Sequence, residues 1–137
     1  MRERIQASFD QQSFMTSIGA RLTDVAQGRV TIECTAGPGF SQQQGFAHAA
    51  LTFAIGDSAA GYAALTVAPP DHEVLTSEIK INLLAPAKGH LIAEGRVIKP
   101  GRRLIVVASD VWAVGDDGAR IHVAMMQGTI VPVAVKG

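Results

Sequence analysis

The chain has 137 residues, of which 47% are hydrophobic and 18% are charged. This length suits one domain, and so apolar a composition excludes an intrinsically disordered segment. Lys plus Arg and Asp plus Glu each number 12, so the formal net charge is zero and no overall field would draw in nucleic acid or an anionic membrane. We therefore expect a single domain over residues 1–137, with any anionic ligand held by a local site.

Two features bear on the cellular compartment. The single cysteine, Cys34, lies in a strand-like run and has no partner for an internal disulfide, so no oxidising compartment is implied. The N-terminal residues carry alternating charges and lack the apolar block of a signal peptide. The sequence therefore predicts a cytoplasmic protein.

The apolar spacing predicts the elements in chain order. A helix over 3–18 is followed by a hairpin of strands 21–26 and 29–36, a polar loop, and a long apolar helix within 47–67. That helix is long enough to span a membrane, but Asp57 near its centre would cost about 3 kcal/mol in a bilayer, which favours a buried helix of a soluble domain. Four strands in an antiparallel meander, with hairpin connections at 85–89, 99–102 and 115–118, are predicted over 73–84, 90–98, 103–114 and 120–133. The pattern predicts an α+β domain whose antiparallel sheet wraps around the long helix.

The strand over 104–114 has apolar residues on both faces. An antiparallel sheet normally exposes one face to water. The second face therefore packs either on another subunit, which we favour, or under the N-terminal helix.

Asp57 is the only formally charged residue between Gly45 and Pro70. Its helical neighbours are small apolar residues, which leave space beside the carboxylate for a ligand. Because an unpaired buried carboxylate is costly, this position favours a functional group. A carboxylate paired with a distant arginine or a helix cap is the structural alternative.

His48 stands at the predicted start of the long helix. The unpaired N–H groups and the positive dipole of a helix N-terminus suit a carbonyl oxygen that becomes negative during acyl transfer. The imidazole either packs or caps the helix, or it contacts a substrate directly. No second ligand lies at metal-binding spacing on this helix, so we expect no metal site there.

Two segments carry a family resemblance. Residues 45–64, GFAHAALTFAIGDSAAGYAA, and residues 76–89, TSEIKINLLAPAKG, resemble the signature of hotdog-fold acyl-CoA thioesterases of the phenylacetate-degradation type. The likeness extends to Gln127-Gly128-Thr129. It implies a hotdog fold and hydrolysis of an acyl- or aryl-CoA thioester without a cofactor, CoA being part of the substrate.

The resemblance also implies roles for single residues. Asp57 would be the catalytic carboxylate, as general base or as nucleophile, and the Ala49 N–H would donate to the thioester oxygen. Thr76 would assist the acid, and Gln42 would position the water, with Gln43 and Gln44 as alternatives. Gly45 belongs to the substrate-binding loop before the helix. Ala49-Ala50 replaces the usual Gly-Gly of the family, which keeps the N–H but narrows the approach to it.

Ala49 and Asp57 are eight residues apart on one predicted helix, hence about 12 Å along its axis. This is too far for both to act on one thioester carbon. If two such helices lie antiparallel across a two-fold axis, Ala49 of one subunit approaches Asp57 of the other. We therefore expect a homodimer, or a tetramer of two dimers, with shared sites.

The cationic residues near predicted turns are candidates for the CoA phosphates: Lys88, Lys99, Arg102 and Arg103. A solvated turn is the alternative for Arg102 and Arg103. Two other functions remain open beside the thioesterase. One is a non-catalytic acyl-CoA-binding module, and the other is a hotdog dehydratase or hydratase with His48 as base.

Overall fold

The computed structural model describes residues 1–135. Three helices and six strands follow one another within these residues. They are α1 (Arg2–Asp10), α2 (Ser13–Ser17), β1 (Arg21–Ala26), β2 (Arg29–Thr35), α3 (Ala49–Leu65), β3 (His72–Leu83), β4 (His90–Lys99), β5 (Ile105–Val114) and β6 (Arg120–Ala134). The prediction of a single domain over 1–137 stays a prediction, because residues 136 and 137 lie outside the described part.

All six strands form one antiparallel sheet, in the order β1-β2-β4-β5-β6-β3. Helix α3 lies on one face of this sheet, against β2, β3, β4 and β5. The predicted α+β architecture, a sheet wrapped around a long helix, is confirmed.

The predicted four-strand meander is wrong in one place. β4, β5 and β6 are consecutive neighbours, but β3 pairs with β6 and forms an edge of the sheet. Residues 85–89 are therefore a crossover to β4, beside β2, and not a hairpin. Gly128 permits the β3–β6 pairing, because a Cβ there would overlap the backbone of Glu78 and Ile79.

The predicted N-terminal helix over 3–18 is two helices. Gln12 adopts an extended conformation between them, with φ −81° and ψ 97°. Ile5 and Phe9 of α1 are buried, whereas Phe14 of α2 is 54% exposed. The apolar residues thus do not share one helical stripe, which is why the chain breaks here.

The close approach of α3 to the sheet depends on small residues. Ala59 and Ala60 are fully buried where the helix crosses β4. A Cβ at Gly95 would overlap the backbone of both alanines, so only glycine fits at this crossing. The opposite side of α3 carries Phe53, 37% exposed, and the partly buried Asp57.

The two faces of β5 differ. Ile105, Val107 and Val111 are buried toward the helix. On the other face Trp112 stacks on His122, with 4.4 Å between ring centroids. Helix α1 does not cover this outer face, since Ser8 and Gln12 reach Tyr62 of α3 on the helix side. The alternative in which the N-terminal helix covers the second face is therefore wrong, and packing on another subunit stays a prediction.

Candidate active site

The N-terminus of α3 is capped by a histidine side chain. His48 is extended, with φ −61° and ψ 140°, and its Nδ1 accepts a hydrogen bond of 2.9 Å from the Ala50 N–H. The Leu51 N–H donates to the His48 carbonyl at 2.9 Å. Among the described residues no acceptor pairs with the Ala49 N–H, so it is the free donor of this first turn.

Two backbone hydrogen bonds fix the approach to this helix end. The His48 N–H donates to the carbonyl of Phe40, and the Ala47 N–H donates to the carbonyl of Ala87 in the crossover, both at 2.8 Å. The crossover from β3 to β4, which the sequence did not predict, thereby holds the start of α3 in place.

Gln42 organises the loop before the cap. Its Oε1 accepts hydrogen bonds from the N–H groups of Gln44, at 2.6 Å, and Phe46, at 3.1 Å. Gly45 lies between these two donors with φ 87°, a left-handed conformation that favours glycine. The carbonyl end of the Gln42 side chain is thus occupied by the loop, while its Nε2 makes only a 3.3 Å contact with the exposed Gln44.

The free N–H of Ala49 borders a cleft of about 510 Å³, called here the amide cleft. Its walls come from the loop before α3, the first turns of α3, the end of β3 and the crossover. The lining residues are Gln42, Gln43, Gln44, Phe46, Ala47, His48, Ala49, Thr52, Leu83, Leu84, Ala85, Pro86, Ala87 and Val123.

Asp57 lies two turns further along α3. Burial raises the pKa of this carboxyl, and the hydrogen bond from Thr76 partly offsets the rise. The donor is the Thr76 Oγ1, 2.8 Å from the Asp57 Oδ1. No cation pairs with Asp57 in the described part of the chain, so the structural alternative of an arginine-paired aspartate is not what the structure shows.

Regular alternation places Thr76 on the helix side of β3. Val74, two residues earlier, packs against the core, and alternate residues of a strand share a face. The pairing of β3 with β6 shifts register between Thr76 and Glu78, so Ser77 is an extra residue. This bulge returns Ile79, three residues after Thr76, to the same face. The Thr76 hydroxyl thus reaches a carboxylate on the neighbouring helix.

Asp57 borders a second cleft of about 280 Å³ between α1, α3 and β3, called here the acid cleft. The lining residues are Ser8, Gln12, Asp57, Ser58, Gly61, Tyr62, Leu65, Glu73, Val74 and Thr76. The amide cleft and the acid cleft share no lining residue. Within one chain the structure therefore brings Asp57 together with Thr76, and Ala49 with His48 and Gln42, but it does not bring the two groups together.

The predicted phosphate-binding residues lie at opposite ends of β4. Lys88 and Gly45 line a depression beside the amide cleft. Arg102 and Arg103 line a groove of about 910 Å³ beyond the C-terminal end of α3, with Lys99 on the same hairpin. A ten-residue strand separates Lys88 from Lys99 by roughly 30 Å, so one chain cannot apply both ends to one ligand.

Sequence reasoning missed the polar residues of the acid cleft: Ser8, Gln12, Tyr62 and Glu73. Tyr62 follows Asp57 on the same helix, which is a weak signal. Ser8 and Gln12 are distant in sequence from Asp57 and reach the cleft through contacts with Tyr62 of α3, which no local pattern shows.

Within residues 1–135 no three His, Cys, Asp or Glu side chains converge to hold a metal ion. The expectation that no cofactor is needed stays a prediction. None of the described helices has the length and apolarity needed to cross a membrane.

Comparison with known proteins identifies relatives over nearly the whole chain. The family model described as Thioesterase superfamily matches residues 44–119. The structure of a thioesterase family protein from Silicibacter pomeroyi superposes with a TM-score of 0.95 at 33% identity, covering 98% of both chains. A Saccharolobus solfataricus protein that carries an esterase name is 33% identical over 66% of this chain and 64% of its own length, so this chain spans less than two thirds of that relative.

Two further solved structures bear on the predicted branch and ligand. The PaaI protein of the Escherichia coli phenylacetic acid degradation operon has a TM-score of 0.81 over 96% of this chain and 91% of its own, and at 18% identity it shows the shared fold. A Bacillus halodurans protein solved with CoA has a TM-score of 0.68 at 25% identity, over 75% of this chain and 66% of its own. The predicted resemblance to hotdog thioesterases is confirmed.

Proposed function

Because the chain belongs to the Thioesterase superfamily, we propose that it hydrolyses acyl-CoA thioesters at sites shared between two subunits. The observation that carries the proposal is the placement of Asp57 and Ala49. The first is a partly buried carboxylate that borders one cleft, and the second is a free helix N-terminal N–H that borders another.

The chemistry follows from the charge that develops on the thioester. The Ala49 N–H and the dipole of α3 stabilise the oxyanion formed when the carbonyl carbon is attacked. As a general base, Asp57 takes a proton from water, the C–S bond breaks, and the CoA thiolate leaves and is protonated. As a nucleophile, Asp57 instead attacks the carbonyl carbon, the C–S bond breaks with departure of the CoA thiolate, and water then hydrolyses the mixed anhydride to the free acid and Asp57. Both routes require an ionised Asp57, which the Thr76 hydrogen bond favours.

Two subunits are needed because the donor and the acid lie about 12 Å apart along α3. A two-fold axis that brings Ala49 of one helix to Asp57 of the other passes beside the midpoint, Phe53. Phe53 is a large apolar side chain of this helix and is 37% exposed in one chain. The neighbouring strand β3 is a twelve-residue edge of the sheet with Leu75 63% exposed, a surface that soluble proteins normally cover. These features support a dimer that buries α3 and β3. A tetramer of two such dimers stays the wider expectation.

The same two-fold symmetry brings together, from two subunits, cationic residues that lie far apart in one chain. When the two α3 helices lie antiparallel, the Lys88 end of one subunit lies beside the C-terminal end of the partner's α3. Arg102 and Arg103 line the groove at that end. The CoA phosphates are then bound by Lys88 of one subunit with Arg102 and Arg103 of the other, with Lys99 nearby. Support for a CoA ligand comes from the CoA-bound Bacillus halodurans relative. We place the protein in the cytoplasm, with neither nucleic acid nor membrane as a partner.

The dehydratase or hydratase alternative would use His48 as a base. In this structure Nδ1 accepts the Ala50 N–H, so the neutral ring carries its proton on Nε2 and offers no free basic nitrogen. The geometry therefore favours a capping role. A non-catalytic module would retain the clefts and the cationic residues and would bind acyl-CoA without hydrolysing the thioester.

The test is the release of free thiol from a panel of acyl- and aryl-CoA esters, with the purified protein and with Asp57→Asn. Hydrolysis that the substitution abolishes supports the thioesterase. Binding of the same esters without thiol release would establish the non-catalytic module, and hydration or dehydration of an enoyl- or hydroxyacyl-CoA would establish the other enzyme.

A further inference from the structure

The acid cleft contains a fixed hydroxyl group. The Tyr62 hydroxyl accepts a hydrogen bond of 2.7 Å from Nε2 of Gln12 and lies 3.1 Å from the Ser8 hydroxyl. The Tyr62 ring is 6% exposed and packs against Phe9, with 6.1 Å between ring centroids. Polar groups of α1, of α3 and of Gln12, which lies between α1 and α2, thus converge in the cleft that Asp57 borders.

The charge of this cleft is uniformly acidic. Glu73 is its second ionisable carboxylate, and among residues 1–135 no lysine, arginine or histidine lines it. An anionic acyl group placed here would be repelled by both carboxylates, with no cation to compensate. A neutral group that can donate or accept a hydrogen bond meets no such penalty.

The cleft is also small. Its volume of about 280 Å³ lies just below the range of roughly 300–1,000 Å³ typical of small-molecule pockets. Tyr62 follows Asp57 by five residues, about 7.5 Å along the helix axis, which matches an extended acyl chain of about six carbons.

Helix α1 limits any lengthening of the cleft. The Arg4 guanidinium donates hydrogen bonds to the carbonyls of Ala68, at 3.3 Å, Pro69, at 3.0 Å, and His72, at 2.5 Å. These bonds fasten α1 to the C-terminal end of α3 and to the start of β3. A long alkyl chain could enter only by displacing that helix.

We propose that the acid cleft receives the acyl group and selects compact, neutral acyl groups that carry a hydroxyl near their far end, with Tyr62, Gln12 and Ser8 as the specificity-determining residues. This inference rests on the proposed thioesterase function. The amide cleft, at about 510 Å³, would then hold the pantetheine arm of CoA. Lys88, Arg102 and Arg103 would bind the phosphates.

The experiment compares kcat/KM for four CoA esters: 6-hydroxyhexanoyl-CoA, hexanoyl-CoA, adipoyl-CoA and dodecanoyl-CoA. We expect the hydroxylated ester to exceed hexanoyl-CoA about tenfold, the gain from one added hydrogen bond, and the anionic and long-chain esters to fall below hexanoyl-CoA. Tyr62→Phe and Gln12→Leu should each reduce the tenfold ratio to between one and three. Gln6→Leu is the matched control, because it also replaces a glutamine by leucine. The Gln6 side chain hydrogen-bonds Asp10 outside the cleft, so this variant should leave the ratio at about ten.

The outcomes separate the inference from the function on which it rests. Hydrolysis of all four esters with a ratio near one, or with adipoyl- or dodecanoyl-CoA preferred, overturns the inference and leaves the thioesterase standing. If no ester is hydrolysed, the proposed function fails, and calorimetric dissociation constants of the same esters then decide the selectivity of the cleft. Should Tyr62→Phe not fold, as judged by circular dichroism, the Gln12→Leu and Gln6→Leu pair carries the test.

Discussion

The Oγ1 of Thr76 donates a hydrogen bond of 2.8 Å to the Oδ1 of Asp57, across the boundary between an edge strand and the central helix. This bond opposes the effect of burial, which raises the pKa of the Asp57 carboxyl. It therefore stabilises the ionised form that either catalytic route requires.

Removing the Thr76 hydroxyl should weaken catalysis and shift its pH dependence. In Thr76→Val the pKa of Asp57 rises further, so the acid limb of the kcat/KM profile moves to higher pH and activity on that limb falls several-fold. Thr76→Ser keeps the donor and should stay within about threefold of the wild type. Thr129→Val is the matched control, because the Thr129 hydroxyl donates to Glu78, which does not line the acid cleft. An unmoved acid limb in Thr76→Val would contradict the role given to this bond.

Asp57→Asn should lower thioester hydrolysis by about two orders of magnitude or more, while the fold becomes more stable. A carboxyl whose pKa is raised on folding favours the folded state when protonated and loses that contribution as pH rises through the folded pKa. The asparagine variant avoids this loss. Its Tm should therefore match the wild type in acid, below the usual carboxyl pKa, and exceed it by a few degrees near neutral pH.

Asp71 supplies the control of opposite sign. Its hydrogen bond with His72 lowers the pKa of the Asp71 carboxyl, so Asp71→Asn should not stabilise the protein at neutral pH. Thermal unfolding of both variants between about pH 3 and pH 8, together with thiol release, checks the pair. A Tm for Asp57→Asn that falls below the wild type as pH rises would contradict the burial account of Asp57.

The sequence predicted one half of this site better than the other. The sequence predicted the apolar helix and its single carboxylate, because Asp57 is the only charged residue among small side chains there. Thr76 could be placed only by family resemblance, because its contact with Asp57 depends on how β3 packs against α3, which no local pattern shows. The position of β3 itself was mispredicted, because hairpin signals are local whereas strand order depends on the close approach at Gly128.

The capping role of His48 predicts that another N-cap residue can replace it. His48→Ala should lose about 1 kcal/mol of stability and reduce kcat about tenfold, because the first turn that presents the Ala49 N–H frays. His48→Asn restores a side-chain acceptor and should recover both Tm and kcat to near the wild type. An asparagine variant with wild-type Tm but activity about a hundredfold lower would show that the imidazole itself takes part in the chemistry.

The position of the two-fold axis predicts a specific cross-link. Phe53→Cys places a thiol beside its symmetry mate, so mild oxidation should give a disulfide-linked dimer on non-reducing electrophoresis. Phe14→Cys is the matched control, since Phe14 is an exposed phenylalanine of α2, away from the proposed axis, and the native Cys34 is buried. Equal cross-linking rates for the two variants, or sedimentation of an active wild-type species of 14.4 kDa, would exclude the arrangement.

The most direct test of the shared site is complementation between two inactive parents. Asp57→Asn removes the acid, and Ala49→Pro removes the donor N–H while keeping a residue that the first turn of a helix tolerates. In a heterodimer of the two, one site receives both lesions and the other pairs an intact Ala49 N–H with an intact Asp57. Subunit exchange should therefore restore thiol release to about half of the wild-type rate per heterodimer. Verified heterodimers that remain as inactive as their folded parents would contradict the shared site and require the acid to work with a donor from its own chain.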